Sequence, residues 1–295
     1  MGLPKMWINK YWKYMLFLSM APLQRRRYSP FSFLVVFLFF FIPVRGHEIP
    51  MMVNSTLPRE QILLEELFSF FVKWDQLGHV LFFETKPVCL TGIPFDCDFS
   101  LTAPCISKEP LKFQERLKEG WITWKKYEPL FPHPNFLICE EIRKVSKGEK
   151  QGTMVDVFFI NKHSLLKTLK KNQHLFKQTL GASFTPTKFL EQIERDKTLR
   201  PHILYDEMLL GILLGYGHTS SWTYREKKLG HLNIPTMTVG KAEKGCELSP
   251  VSFMGNPAAK EAKILNCKYS LELKEIWNRY NRKQFLEITL KQLCS

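Results

Sequence analysis

The chain has 295 residues, with 42 basic against 28 acidic side chains, a formal charge of +14 and 45% hydrophobic composition. Seven of the basic residues (Lys5, Lys10, Lys13, Arg25, Arg26, Arg27 and Arg45) and no acid fall in residues 1–46, so the remaining 249 residues hold 35 basic against 28 acidic, a net of +7. That length suits one large domain or two small ones, and the moderate charge removes most of the case for a nucleic-acid partner.

Residues 31–44, FSFLVVFLFFFIPV, contain one polar side chain, Ser32; Arg25–Arg27 precede them and the polar run Arg45-Gly46-His47-Glu48 follows. A basic flank, a short apolar run and small residues at its end make a secretory signal peptide, with cleavage expected between Gly46 and His47. The alternative is a retained anchor formed by residues 31–44, although a spanning helix wants about 20 apolar residues and Pro43 interrupts this one. Met20 is expected as the working start of the leader. Export would place the domain in the periplasm, at the cell surface or outside the cell.

Beyond a linker with an Asn54-Ser55-Thr56 sequon, Leu57 to Trp74 reads as a helix, and Val80–Phe83 and Val88–Ile93 as short strands. The loop-like stretch from Thr91 to Pro110 carries Cys97 and Cys105. Phe113, Leu117, Trp121 and Trp124 recur at helical spacing, predicting a helix over 111–127. Phe136–Val145 and Met154–Ile160 are strands around a turn at Lys147-Gly148-Glu149. From Asn161 the period becomes helical: Leu165, Leu166, Leu169, Phe176 and Leu180 share one arc, opposite Lys167, Lys170, Lys171 and Lys177, with Gly181 as the stop. Thr187–Leu199 is a further helix. Ile203–Tyr216 is apolar all round, which predicts a helix at the centre of the core. A Gly- and Pro-punctuated loop region covers 230–257, and 271–293 is helical with a break expected at 281–284. The order predicts an α+β fold in which the N-terminal half holds helices and short antiparallel strands and the C-terminal half is mainly helical around a buried central helix. A single domain over 47–295 is expected, with a possible subdivision near 161.

Several chemistries are refused. Gly240 to Gly245 has the glycine spacing of a phosphate loop, but Cys246-Glu247 stands where Lys-Ser/Thr is required. Gly215-Tyr216-Gly217 lacks the third glycine of a dinucleotide fingerprint. G-x-S-x-G, H-E-x-x-H and C-x-x-C are missing from the sequence, so no cofactor and no metal is expected. Cys89, Cys97 and Cys105 are spaced too widely for zinc, and in an oxidising compartment they are disulfide candidates or buried thiols. A thiol-dependent hydrolase using one of them with a distant histidine such as His133 is the enzymatic alternative. His163 and His174, roughly 16 Å apart on a helix, cannot share a metal. The lysine face of Lys167, Lys170, Lys171 and Lys177 reads first as a solvated surface and second as a contact for an anionic membrane. Trp121 and Trp124 lie on a helical stripe, which favours core packing over a sugar platform.

The run Leu209-Leu210-Gly211-Ile212-Leu213-Leu214-Gly215-Tyr216-Gly217, with the Lys86-Pro87 strand end and the Ile160-Asn161-Lys162 junction, resembles hypothetical secreted proteins of chlamydia-like intracellular bacteria. The resemblance covers roughly residues 60–230; where that family has Asn-containing residues after the glycines, this chain has His218-Thr219-Ser220-Ser221. It implies a bacterial, host-associated, exported setting and no catalytic role. The function expected is therefore that of an exported, non-enzymatic protein that binds an unknown protein or surface partner.

Overall fold

The computed structural model of the protein describes residues 58–97, 99, 109–232, 236–238, 247–256, 259–280 and 284–295. The cleavage site at Gly46 and His47, the apolar run 31–44, the sequon, Cys105, Cys246 and the Gly240–Gly245 loop lie outside the described residues.

An antiparallel sheet ordered β1-β3-β2 forms the centre: β1 is Val88–Pro94, β2 Phe136–Lys147 and β3 Lys150–Asn161. β2 and β3 are a hairpin closed by the pair Lys147–Lys150, with Gly148 at φ +62 supplying the turn. Because side chains alternate across a strand, β3 divides its apolar residues between two faces. Val155, Val157 and Phe159 enter one core, and Phe158 and Ile160 the other.

The first core is filled by α1 (Pro58–Lys73), α2 (Leu77–Phe82), α3 (Pro110–Tyr127), α9 (Lys260–Tyr280) and α10 (Phe285–Leu293). Leu64, Leu67, Phe68, Phe71 and Val72 recur on one face of α1 and meet Leu117, Trp121 and Trp124 of α3. Gly120 sits at that crossing: a Cβ on it would stand 2.9 Å from the Leu63 carbonyl, so close helix contact outweighs its poor helix propensity. Both tryptophans are buried, Trp124 edge-on to Phe68 at 5.1 Å, and neither offers a platform to a sugar.

The second core packs α4 (Lys162–Lys171), α5 (Gln173–Leu180), α6 (Pro186–Asp196) and α7 (Glu207–Leu213) on the opposite face, with α8 (His218–Lys228) against α7. The helix starts are written locally. Asn161 accepts the Ser164 amide at 3.0 Å, Thr185 accepts the Lys188 amide ahead of α6, and Asp206 accepts the Leu209 amide at 2.8 Å.

The α+β reading holds, with corrections in detail. Val80–Phe83 is not a strand; Leu77–Phe82 forms α2, five of whose six residues are buried. Four apolar residues in a row suit a fully buried helix as well as a strand, and periodicity cannot separate them. The helix through Leu165–Leu180 is two helices divided at Asn172. The helix expected over 203–216 is shorter, because Leu204 and Tyr205 turn at positive φ (54° and 57°) before Asp206 caps α7. What remains is buried from Met208 to Leu213, as an all-round apolar helix should be. The 230–257 loop region contains a small second sheet, β4 (Thr236–Thr238) with β5 (Ser252–Met254). The C-terminal helical region begins at Lys260, with α9 ending at Tyr280 and Gln284, at φ +64°, preceding α10. No helix among the described residues is long and apolar enough to cross a membrane.

Candidate binding cleft

Where the helices of the second core end, the outer part of the sheet is left uncovered and a cleft of about 1090 Å³ opens. Leu90, Glu141 and Arg143 border it from the sheet, Leu210, Gly211, Leu214 and Tyr216 from the α7 segment, and Ser220, Ser221, Tyr224 and Phe253 from α8 and β5. Tyr205 and the Glu207–Lys228 ion pair stand at its border.

A polar network forms one wall. Asp156, 1% exposed, interrupts the apolar centre of β3 and lies opposite Glu141 in the ladder. Arg143 donates to both of its oxygens, from Nε at 2.8 Å and Nη2 at 3.2 Å, and Arg200 donates from Nη1 at 2.6 Å. Glu141 accepts the Leu199 and Arg200 amides at 2.7 and 2.8 Å and also faces the Arg200 guanidinium, which lies 5.0 Å from the Phe158 ring centre. Two acids and two arginines thus balance in charge. The hydrogen bonds to Asp156 hold the Arg143 guanidinium above its already high ordinary value.

The other wall is built by the three glycines of the LLGILLGYG run. A Cβ on Gly211 would stand 2.6 Å from Ser221 Oγ, so α7 and α8 meet through it. Gly215 and Gly217 have φ of +82° and +78°, the left-handed region where glycine is unstrained. The turn they make is clamped from behind. Lys86 Nζ donates to the Leu214 carbonyl at 2.9 Å, the Tyr269 hydroxyl donates to the Gly215 carbonyl at 2.8 Å, and the Glu261 carboxylate accepts the His218 and Thr219 amides at 3.1 and 2.8 Å. Both ends of the turn are therefore satisfied, a helix C-terminus by a cation and a hydroxyl and a helix N-terminus by an anion. Tyr216 stacks on Phe253 with ring centres 4.9 Å apart, and Lys86 Nζ lies 5.0 Å from the Tyr216 ring centre. The glycine motif thus serves close packing, and Gly211 also borders the cleft.

Behind Tyr216 lies a polar cluster that the sequence did not single out. Lys86 is buried, and desolvation lowers its pKa to about 8 against partial support from Cys89 and Asp75. Asp75 is half-buried as a residue, but its carboxyl points inward and accepts from the Thr91 hydroxyl; burial raises its pKa to about 7. His79 and Glu272, also buried, are joined at 2.8 Å, and His79 Nε2 has no partner. Desolvation lowers the His79 pKa, so its neutral ring donates from Nδ1 to the Glu272 carboxylate.

The expected disulfide is not made between Cys89 and Cys97, which are both free thiols. Cys89 lies opposite Phe159, whereas Cys97 packs against Gly152, seven residues along β3. At about 3.3 Å per residue that is roughly 23 Å, far beyond the Cα separation of about 7 Å that a disulfide can bridge. The Cys89 thiol donates to the Asp75 carbonyl, and burial pushes its pKa well up; Cys97 donates to the Thr153 carbonyl at 3.3 Å. His133 faces Glu128 at 3.4 Å. Lys167, Lys170, Lys171 and Lys177 are all exposed, with Lys167 paired to Glu84. No group of three or more potential metal-binding side chains occurs among the described residues.

Comparison with models of known protein families, with curated proteins and with solved structures found no match to this chain.

Proposed function

We propose that the chain is an exported, non-enzymatic binding protein and that its ligand occupies the cleft between the sheet and the α7–α8 turn. The observation that carries this reading is the cleft itself: a volume of about 1090 Å³ with mainly apolar walls is of the size that encloses a small molecule. The acids around it support binding over catalysis, because Asp156 and Glu141 are held by Arg143 and Arg200, and Glu207 by Lys228. A thiol hydrolase built on Cys89 would need an accessible thiolate, and Cys89 is fully buried with its thiol held neutral. The apolar leader and the resemblance to secreted proteins support the exported setting.

Titration with the neutral apolar fluorophore N-phenylnaphthylamine tests the site. The full chain is expected to bind it saturably, and Leu90→Trp, which places an indole in the cleft from the sheet side, is expected to weaken binding at least about tenfold, or 1.4 kcal/mol. Thermal unfolding of the variant confirms that the fold is kept. Binding that is undiminished by Leu90→Trp overturns the reading.

A further inference from the structure

We infer that the cleft takes an amphipathic ligand with a carboxylate head, its apolar body against Leu90, Leu210, Leu214 and Tyr216 and its head on Arg143 and Arg200. The inference rests on the cleft being the binding site and adds the chemistry of its polar end. That end offers more spare donors than spare acceptors. Asp156 already receives three hydrogen bonds, from Arg143 Nε and Nη2 and from Arg200 Nη1, and Glu141 receives three more from Leu199 and Arg200. A cationic ligand head would compete with the two arginines for these carboxylates.

The arginines, by contrast, have N–H groups to spare. A guanidinium carries five N–H donors in a fixed fork. Arg143 directs Nε and Nη2 at Asp156 and Met154, which leaves Nη1, and its side chain is 49% exposed. Arg200 directs its Nη1 at Asp156 and Glu141, which leaves Nε and Nη2, and neither is enclosed without a partner. Both arginines border the cleft, and the inference is that these remaining donors reach its open volume. The buried acids therefore act as a backing that fixes the two forks, the arrangement in which a charge-assisted, two-point contact to a carboxylate costs least in side-chain ordering. A phosphate or sulfonate would present the same acceptors on a wider head, and the dodecyl phosphate arm of the test below separates it from the carboxylate.

Displacement of N-phenylnaphthylamine from the full chain by decanoate and by decanol at neutral pH tests this. Arg143→Gln is expected to raise the decanoate midpoint about tenfold while leaving decanol unchanged, and Arg143→Lys, which keeps the charge without the fork, to fall between. Asp156 retains Arg200 in both variants, so one buried pair survives. If decanoate and decanol shift together, or neither shifts in either variant, the carboxylate inference fails while fluorophore binding still supports the cleft. If the fluorophore itself is not held there, the cleft reading has failed first. Dodecyl phosphate that displaces better than decanoate, with the same Arg143 dependence, overturns the choice of head group.

Discussion

Asp75 and Asp156 show how differently two enclosed carboxylates are kept. Asp156 lies between two guanidinium groups that donate to it, whereas Asp75 has a hydroxyl, a thiol-bearing neighbour strand and one buried lysine, and burial dominates. The folded-state pKa of Asp75, about 7, lies above its unfolded value near 3.8, so between those pH values the native state holds a proton that the unfolded state has released. Stability from this group is therefore greatest in acid and falls as pH rises from about 4 to 7. Asp75→Asn, which imitates the protonated form, removes that dependence. Relative to the variant, the wild type is expected to gain about 2 kcal/mol between pH 7.5 and pH 5, read from urea unfolding at the two pH values. A difference that is flat, or that grows with pH, would show the carboxyl to be ionised in the fold. Lys86 has the opposite slope at higher pH: its pKa of about 8 lies below the unfolded value, so its contribution improves as pH rises from 8 towards 10.5.

At the scale of elements, much of the helical content was legible because the apolar period was clean: Leu64, Leu67, Phe68 and Phe71 mark α1 as surely in the sequence as in the fold. The short pieces were not. Leu77–Phe82 has no polar face to declare its period, and Leu204-Tyr205 turn left-handed without a glycine to announce it. The cleft was less legible still, since Arg143, Asp156 and Arg200 are joined only through the sheet register and the loop after α6. One signal was available: an aspartate between Val155 and Val157 in a strand buried on both faces requires a partner. The LLGILLGYG run was noticed, but Glu261, Lys86 and Tyr269, which hold its turn, come from far along the chain. Glu261→Ala strips the first-turn amides of α8 of their acceptor and is expected to cost about 1 kcal/mol. Hydrogen exchange should show the loss first at His218 and Thr219, with α1 and α3 unchanged; uniform loss across the molecule would mean that the cap is not local.

For the molecule as a whole, the question raised by the change of period at residue 161 is whether the two halves melt separately. The sheet argues that they do not. β3 gives Val155, Val157 and Phe159 to the core under α1 and α3, and Phe158 and Ile160 to the core under α4–α7, on alternating positions of one strand. A strand cannot leave one core while keeping its register in the other, because the same ladder holds both sets of side chains in place. Phe158 and Phe159 are adjacent, fully buried and committed to opposite faces, so they report on the two cores through one backbone. Phe158→Ala and Phe159→Ala are each expected to cost about 3–5 kcal/mol, and each to move a single transition seen alike by far-ultraviolet circular dichroism and tryptophan fluorescence. The two fully buried tryptophans, Trp121 and Trp124, lie in the first core, while the truncation at Phe158 is made in the second. If the helical half were an independent unit, Phe158→Ala would lower the circular dichroism midpoint and leave the fluorescence midpoint where it was. Coincident shifts would instead tie the cleft, which borders the second core and is floored by the shared sheet, to the stability of the whole fold.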